Sequence, residues 1–178
     1  MVRKKIPITP GIRMLKAAEA DFTVHQYAYE EKGWAGRAPS WAHDSGFRRN
    51  RGTTTAARQL GVDEHRVIKT LVMEDESKTP LIVLMHGELE VSTKALARTI
   101  GVKSITPCEP STARRHTGYE VGGTSPFGTL KDLPVYVEAS IMDLPKILIN
   151  GGKKGLLVEI SPQVIQDIFD PVLVNVGR

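Results

Sequence analysis

Arg66-Val67-Ile68-Lys69-Thr70-Leu71-Val72-Met73 decides the fold class, because it is an aliphatic and β-branched run with a single charge in its middle. A short continuous apolar run of this kind predicts a strand covered on both faces. Period 2 puts Val67, Lys69, Leu71 and Met73 on one side. An ammonium among apolar neighbours is costly unless it is paired or faces a wet pocket, so Lys69 calls for a reason. The alternative is a snorkelling lysine on an edge strand.

Outward from this run, similar β-branched segments recur at residues 80–85, 103–106, 134–138, 147–149 and 156–160, giving six strand candidates. Residues 22–29, rich in aromatic and β-branched side chains, suggest a further strand. It follows a helix that starts at Thr9 as N-cap with Pro10 in the first helical position. Helical patterns also fit residues 54–60 and 92–100, stopped by Gly61 and Gly101, residues 110–117, and residues 162–169 behind Ser161. Helices and strands interleaved in this way predict one mixed α/β domain spanning residues 1–178. Residues 32–52 break the pattern with Gly33, Gly36, Pro39, Gly46 and Gly52, and read as a loop or insertion. They carry Trp34 and Trp41 with Arg37, Arg48, Arg49 and Arg51, a mixture that could stack on bases and contact phosphates, or could be a solvated loop.

The chain has 178 residues, 40% of them hydrophobic, enough for a sizeable core and too few for two large domains. Its net charge of +4 and pI near 9.2 permit a polyanionic partner without demanding one. One cysteine, Cys108, excludes an internal disulfide framework and a cysteine-rich zinc site, and favours a reducing compartment. The basic start Met1-Val2-Arg3-Lys4-Lys5 is not followed by an apolar run of signal-peptide length, and every hydrophobic run is broken by Pro, Gly or charge. A soluble, cytosolic protein is expected.

Phosphate-loop, dinucleotide-binding, zinc-protease and serine-hydrolase motifs are all missing. His25, His43, His65, His86 and His116 lack ligand spacing, which argues against a bound metal. Cys108 beside Pro107 reads as an ordinary small residue rather than a nucleophile. Two further features stand out. Gly118-Tyr119-Glu120-Val121-Gly122-Gly123-Thr124-Ser125-Pro126-Phe127-Gly128 reads as a short strand running into a glycine-rich loop. Its main-chain N–H groups could be held where an ester oxygen becomes negative, although a plain hairpin connection fits the pattern too. Asn150-Gly151-Gly152-Lys153-Lys154-Gly155 reads as a tight turn between two strands, with lysines that could meet phosphate or simply face water.

Together, these features resemble the YbaK/ProX family of aminoacyl-tRNA deacylases, related to the editing domain of bacterial prolyl-tRNA synthetase. The resemblance rests on Thr9-Pro10, Val24-His25-Gln26-Tyr27, Leu60-Gly61-Val62-Asp63, Val67-Ile68-Lys69-Thr70-Leu71, Thr117-Gly118-Tyr119, the Gly122 to Gly128 loop and Gly151-Gly152-Lys153-Lys154-Gly155. It implies a mixed, barrel-like sheet flanked by helices, and hydrolysis of the ester joining a wrong amino acid to the terminal adenosine of a tRNA. No metal or organic cofactor is implied. Lys69 then corresponds to the family's essential lysine, with Gly122, Gly123 and Ser125 completing the expected catalytic set. Tyr27, Thr70, Thr124, Pro126, Phe127, Gly128, Asn150, Gly151, Gly152 and Lys153 are the expected substrate contacts. Thr124, Ser125 and bound water are candidate proton donors to the departing ribose oxygen.

Water can attack a positioned ester without a protein nucleophile, or a misattached cysteine can attack through its own thiol. The expected substrate is a mischarged tRNA of proline identity carrying a small residue such as cysteine or alanine, with prolyl-tRNA synthetase as a possible partner and no membrane. The chain departs from the cysteine-specific members at two positions, with Asn150 in place of a serine and Leu157 in place of an aspartate. Residues 32–52 are longer than the family's usual connection, consistent with a tRNA-contacting arm, a disordered insert or an altered gene reading. A non-catalytic tRNA- or nucleotide-binding module, or an interaction domain that has lost activity, is the alternative.

Overall fold

The computed structural model describes residues 6–29 and 51–178, so Trp34, Arg37, Trp41, Arg48 and Arg49 lie outside the described residues. The chain opens with helix α1 (Pro10–Ala17), where Thr9 caps the Ile12 N–H at 3.0 Å and Pro10 sits in the first turn, as the sequence requires. Strand β1 (Thr23–Gln26) follows, and helix α2 spans Arg51–Leu60. Arg51 and Gly52 therefore belong to a helix and not to the loop expected over residues 32–52. Strands β2 (Val67–Asp75) and β3 (Pro80–His86) form an antiparallel pair, then come helix α3 (Thr93–Ile100), strand β4 (Ile105–Pro107) and helix α4 (Pro110–Thr117). The chain finishes with β5 (Val135–Glu138), β6 (Ile147–Lys153), β7 (Leu156–Ile160), helix α5 (Gln163–Phe169) and β8 (Val172–Val174).

The eight strands form one mixed sheet in the order β1-β7-β6-β2-β3-β5-β8, with β4 beside β2. Five helices pack around it among the described residues, so the mixed α/β class expected from the sequence is the class observed. The faces of β2 alternate as period 2 demands. Ile68 joins the main core with Ile12, Leu84, Phe127 and Val158, whereas Val67 packs with Ala56 and Leu157, and Met73 with Leu96 and Ile105.

Three local expectations change. The stretch after α4 holds no strand: Gly118 closes the helix at φ +79° in the left-handed region, and the chain turns at once between Glu120 and Gly123. Asn150, Gly151 and Gly152 are not a hairpin turn but part of β6, where the register with β7 shifts between Asn150 and Lys153. The paired glycines thus form a β-bulge that re-aims the strand end. Strand β8 was not anticipated at all, being three residues long with Val172 and Leu173 exposed.

Candidate functional site

The site originates in an interruption of the sheet. Strand β3 pairs with β2 from Ile68 to Glu74, so one edge of β2 is filled. On the other edge, β6 pairs only at Val67 and Ile68, and β4 only at Met73 to Asp75. Between them β2 has no strand partner among the described residues. A cavity of about 220 Å³ lies over this opening, lined by β2 from Val67 to Met73 and also by Tyr27, Tyr29, Thr53, Ala56, Cys108, Val121, Gly122, Thr124, Asn150 and Leu157.

Lys69 enters the cavity wall as a buried residue, 7% exposed, with its Nζ donating to the Leu89 carbonyl. Burial lowers its pKa from the ordinary lysine value, against the opposing pull of Glu90, Glu64 and Glu88. The amine is therefore not a snorkelling surface charge. Thr70 is half-buried, and its Oγ1 is buried without a hydrogen-bond partner among the described residues. Tyr27 follows β1, donates its N–H to the Gly155 carbonyl at 3.0 Å, and has its phenol pKa raised by burial and then by neighbouring Tyr29.

The glycine-rich loop reaches the cavity through Gly122 and Thr124. Glu120 to Gly123 is a turn closed by the Gly123 N–H on the Glu120 carbonyl at 2.9 Å, with Gly122 at φ +88°. That backbone favours glycine, and a Cβ there would also collide with Tyr29 Oη. Asn150 fastens the turn from across the cavity. Its Nδ2 donates to the Gly122 carbonyl at 3.2 Å, while its Oδ1 accepts from the N–H groups of Gly152 at 2.7 Å and Lys153 at 3.1 Å. One side chain thereby joins the glycine turn to the β6 bulge.

The remaining expected site residues lie elsewhere. Gly123 does not line the cavity and spends its N–H on the turn. Ser125 is fully buried beneath α1, with its Oγ accepting from the Phe127 N–H at 3.2 Å, so it is placed as a loop brace away from the cavity. Pro126 is buried, and Phe127 is a core residue stacked on Phe169 with ring centroids 5.4 Å apart. Gly128, at φ +68°, passes so close to Pro10 that a Cβ would come within 2.6 Å of its carbonyl. The Gly151 carbonyl accepts from Thr9 Oγ1, and Gly152, at φ +103°, abuts Tyr119. Lys153 lines a separate, more open depression with Tyr27, Gln59 and Lys154. Among the cavity-lining residues of this loop, the main-chain donors with no partner among the described residues are the N–H groups of Val121, Gly122 and Thr124. Cys108 lines the cavity, but burial, then Glu74, pushes its thiol up to about 11, so it is protonated at neutral pH.

Tyr29 and Asn150's bridging role were not foreseen, because both depend on contacts between segments far apart in sequence. No cluster of three or more His, Cys, Asp or Glu able to hold a metal occurs among the described residues. Nor is any described helix long and apolar enough to cross a membrane.

Residues 50–168 match the aminoacyl-tRNA editing domain. The chain belongs to that family. The chain is 28% identical over 141 residues to a protein of Enterococcus faecalis named "Putative Cys-tRNA(Pro)/Cys-tRNA(Cys) deacylase EbsC", covering 79% of this chain and 80% of that one. It is also 38% identical over 69 residues to a proline–tRNA ligase of Thermodesulfovibrio yellowstonii, covering 39% of this chain but only 12% of the ligase. In fold it is similar to a crystal structure titled "a putative trans-editing enzyme for prolyl tRNA synthetase", with a TM-score of 0.73 at 18% identity, covering 97% of this chain and 99% of the other.

Proposed function

We propose that this editing domain hydrolyses the ester of mischarged tRNA in trans, acting on tRNA of proline identity that carries a small residue, cysteine or alanine. The observation that carries the reading is the meeting of the buried Lys69, the Gly122 turn and Asn150 around one cavity at the open edge of β2. Lys69 supplies a fixed positive charge in a poorly hydrated wall, where it is worth more than in water. The Gly122 and Thr124 N–H groups are the donors for the carbonyl oxygen as it becomes negative. Tyr27 and Tyr29 enclose the bound end, and water or a substrate thiol supplies the nucleophile. The Thr124 hydroxyl, which donates to the Glu120 carbonyl at 3.4 Å and lines the cavity, is the side-chain proton donor we assign to the departing ribose oxygen.

Asn150 and Leu157 are register partners across β6 and β7, and both line the cavity. An aliphatic side chain and an amide already committed to three main-chain groups make this wall poor at binding a charged or strongly polar residue. Shape therefore does the sorting, at about 1–3 kcal/mol per methylene. The second reading is a module that binds the acceptor end without cleaving it, and the observation favouring it is that the Lys69 amine already donates to Leu89.

Deacylation separates the two. Purified protein is incubated with cysteinyl- and alanyl-tRNA of proline identity and with correctly charged prolyl-tRNA, and release of amino acid is followed. Hydrolysis of a mischarged species, falling about 10²-fold or more in Lys69→Ala, supports the deacylase. Lys69→Ala as active as the parent overturns the role given to the amine, and tRNA binding with no hydrolysis of any species establishes the binding module.

A further inference from the structure

We infer that the unpaired edge of β2 at Thr70 and Val72 is an adenine-reading subsite, with the Thr70 carbonyl accepting from the exocyclic amine and the Val72 N–H donating to a ring nitrogen. The direction of these groups follows from the sheet. The Cys108 N–H donates to the Val72 carbonyl at 3.0 Å, so the polar groups of Val72 face away from β3. Its partner on β3, Ile82, correspondingly turns its N–H to the Pro134 carbonyl on the far side. Backbone direction alternates along an antiparallel strand, so Thr70 presents its N–H and C=O to the same open edge as Val72.

On that edge β6 has already left and β4 has not begun, and neither the Thr70 main-chain groups nor the Val72 N–H have a hydrogen-bond partner among the described residues. Thr70 Oγ1 is a further unpartnered group at the same position, buried in the same wall. A buried group such as the Thr70 hydroxyl is normally satisfied, and the half-buried main chain beside it is open to a ligand that pairs along the edge. The ligand must offer a donor beside an acceptor on one flat edge. It must also fit a cavity of about 220 Å³ bordered by Tyr27 and Tyr29. Adenine carries an amine next to an acceptor nitrogen, and unstacked bases bind by aromatic contact plus edge hydrogen bonds. An extended peptide strand is a poor fit, because the opening closes at Ile68 on one side and Met73 on the other.

The inference rests on the proposed function only for its source of adenine, the terminal adenosine of tRNA. The test therefore uses free nucleotides: adenosine 5′-monophosphate against inosine 5′-monophosphate, titrated into isotopically labelled protein and followed by amide NMR. Inosine places a carbonyl against the Thr70 carbonyl and an N–H against the Val72 N–H. Expected are saturable adenosine monophosphate binding that shifts the Val72 amide, and affinity for the inosine nucleotide about tenfold lower or worse. Thr70→Val, which keeps the main chain and deletes the hydroxyl, is expected to weaken binding about three- to tenfold while preserving the preference. Equal affinity for the two nucleotides, binding that leaves the Val72 amide unmoved, or no binding at millimolar nucleotide each overturns the subsite. Deacylation of mischarged tRNA without nucleotide discrimination sinks the subsite and leaves the deacylase standing; discrimination without deacylation of any tRNA does the reverse.

Discussion

Replacing Asn150 with alanine removes three hydrogen bonds at once, two from the β6 bulge and one to the Gly122 carbonyl. The bond to Gly152 is partly buried and the other two are exposed, so the low end of about 0.5–1.5 kcal/mol per bond applies to two of them. The sum is about 2 kcal/mol, or a fall in melting temperature of ~4–8 °C for a chain of this size. The rate should drop more than stability requires, because the Gly122 turn loses its side-chain hydrogen bond to β6, leaving only the packing of Gly123 on Lys153 among the described residues. Asn150→Asp separates the two contributions. Its carboxylate still accepts from Gly152 and Lys153 but sets a second oxygen against the Gly122 carbonyl, so it should melt nearer the parent and hydrolyse as slowly as the alanine variant. Thermal unfolding and single-turnover deacylation are measured on both variants. An alanine variant that melts and turns over like the parent refutes the bridge. A double-mutant cycle with Gly122→Ala provides a second check, with a coupling of about 0.5–3 kcal/mol expected between residues in direct contact.

Gly122→Ala is itself expected to cost about 1–3 kcal/mol, from its φ of +88° and the collision with Tyr29 Oη, and adding Tyr29→Phe should recover part of that loss. A double variant no more stable than the single one would place the strain elsewhere. Lys69→Met should fold and lose hydrolysis. Because the folded amine has a lowered pKa, the parent carries a burial penalty below that pKa, and it is relieved as pH rises towards 10.5. Melting curves at neutral and alkaline pH should therefore show Lys69→Met losing ground relative to the parent as pH rises, and a widening advantage contradicts the assignment. Cys108, held protonated to about pH 11, should react slowly with iodoacetamide at pH 7, and Cys108→Ala should keep its deacylation rate; loss of hydrolysis in that variant reinstates the thiol as a participant.

The strands legible in the sequence are those whose side chains alternate or run continuously into the core. Residues 156–160 were placed to the residue, and 66–73 and 80–85 to within two residues at either end. Strand β8 escaped because Val172-Leu173-Val174 is too short to show a period and exposes two of its three side chains. The glycine-bearing end of β6 escaped for a different reason: Gly151 and Gly152 signal a turn, whereas pairing with β7 holds them in a bulge. At the site, Lys69 was conspicuous because a charge in an apolar run has few innocent explanations. The burial of Ser125 is not legible in the sequence, where its hydroxyl looks available, because it depends on the packing of α1 over the loop. The open edge at Thr70 was invisible, since it depends on where β6 departs and β4 arrives, and no local pattern records which strands are neighbours.

A purely structural strand would not be built as β2 is. Placing a leucine at position 69 would avoid desolvating an ammonium, and continuing the pairing of β6 with β2 for two more residues would satisfy the Thr70 main chain. Neither remedy is used, and the two costs fall on consecutive residues whose groups point in different directions, the Lys69 side chain towards Leu89 and the Thr70 main chain along the sheet. Because direction alternates along a strand, a shift of register by one residue would move the amine to the opposite face, into the main core beside Ile12 and Phe127. The antiparallel register with β3 from Ile68 to Glu74 prevents that slip. The strand best fixed in the sheet is thus the one that carries a desolvated amine and, beside it, main-chain groups without a strand partner among the described residues, which is the arrangement expected where stability is given up locally to keep a binding surface in place.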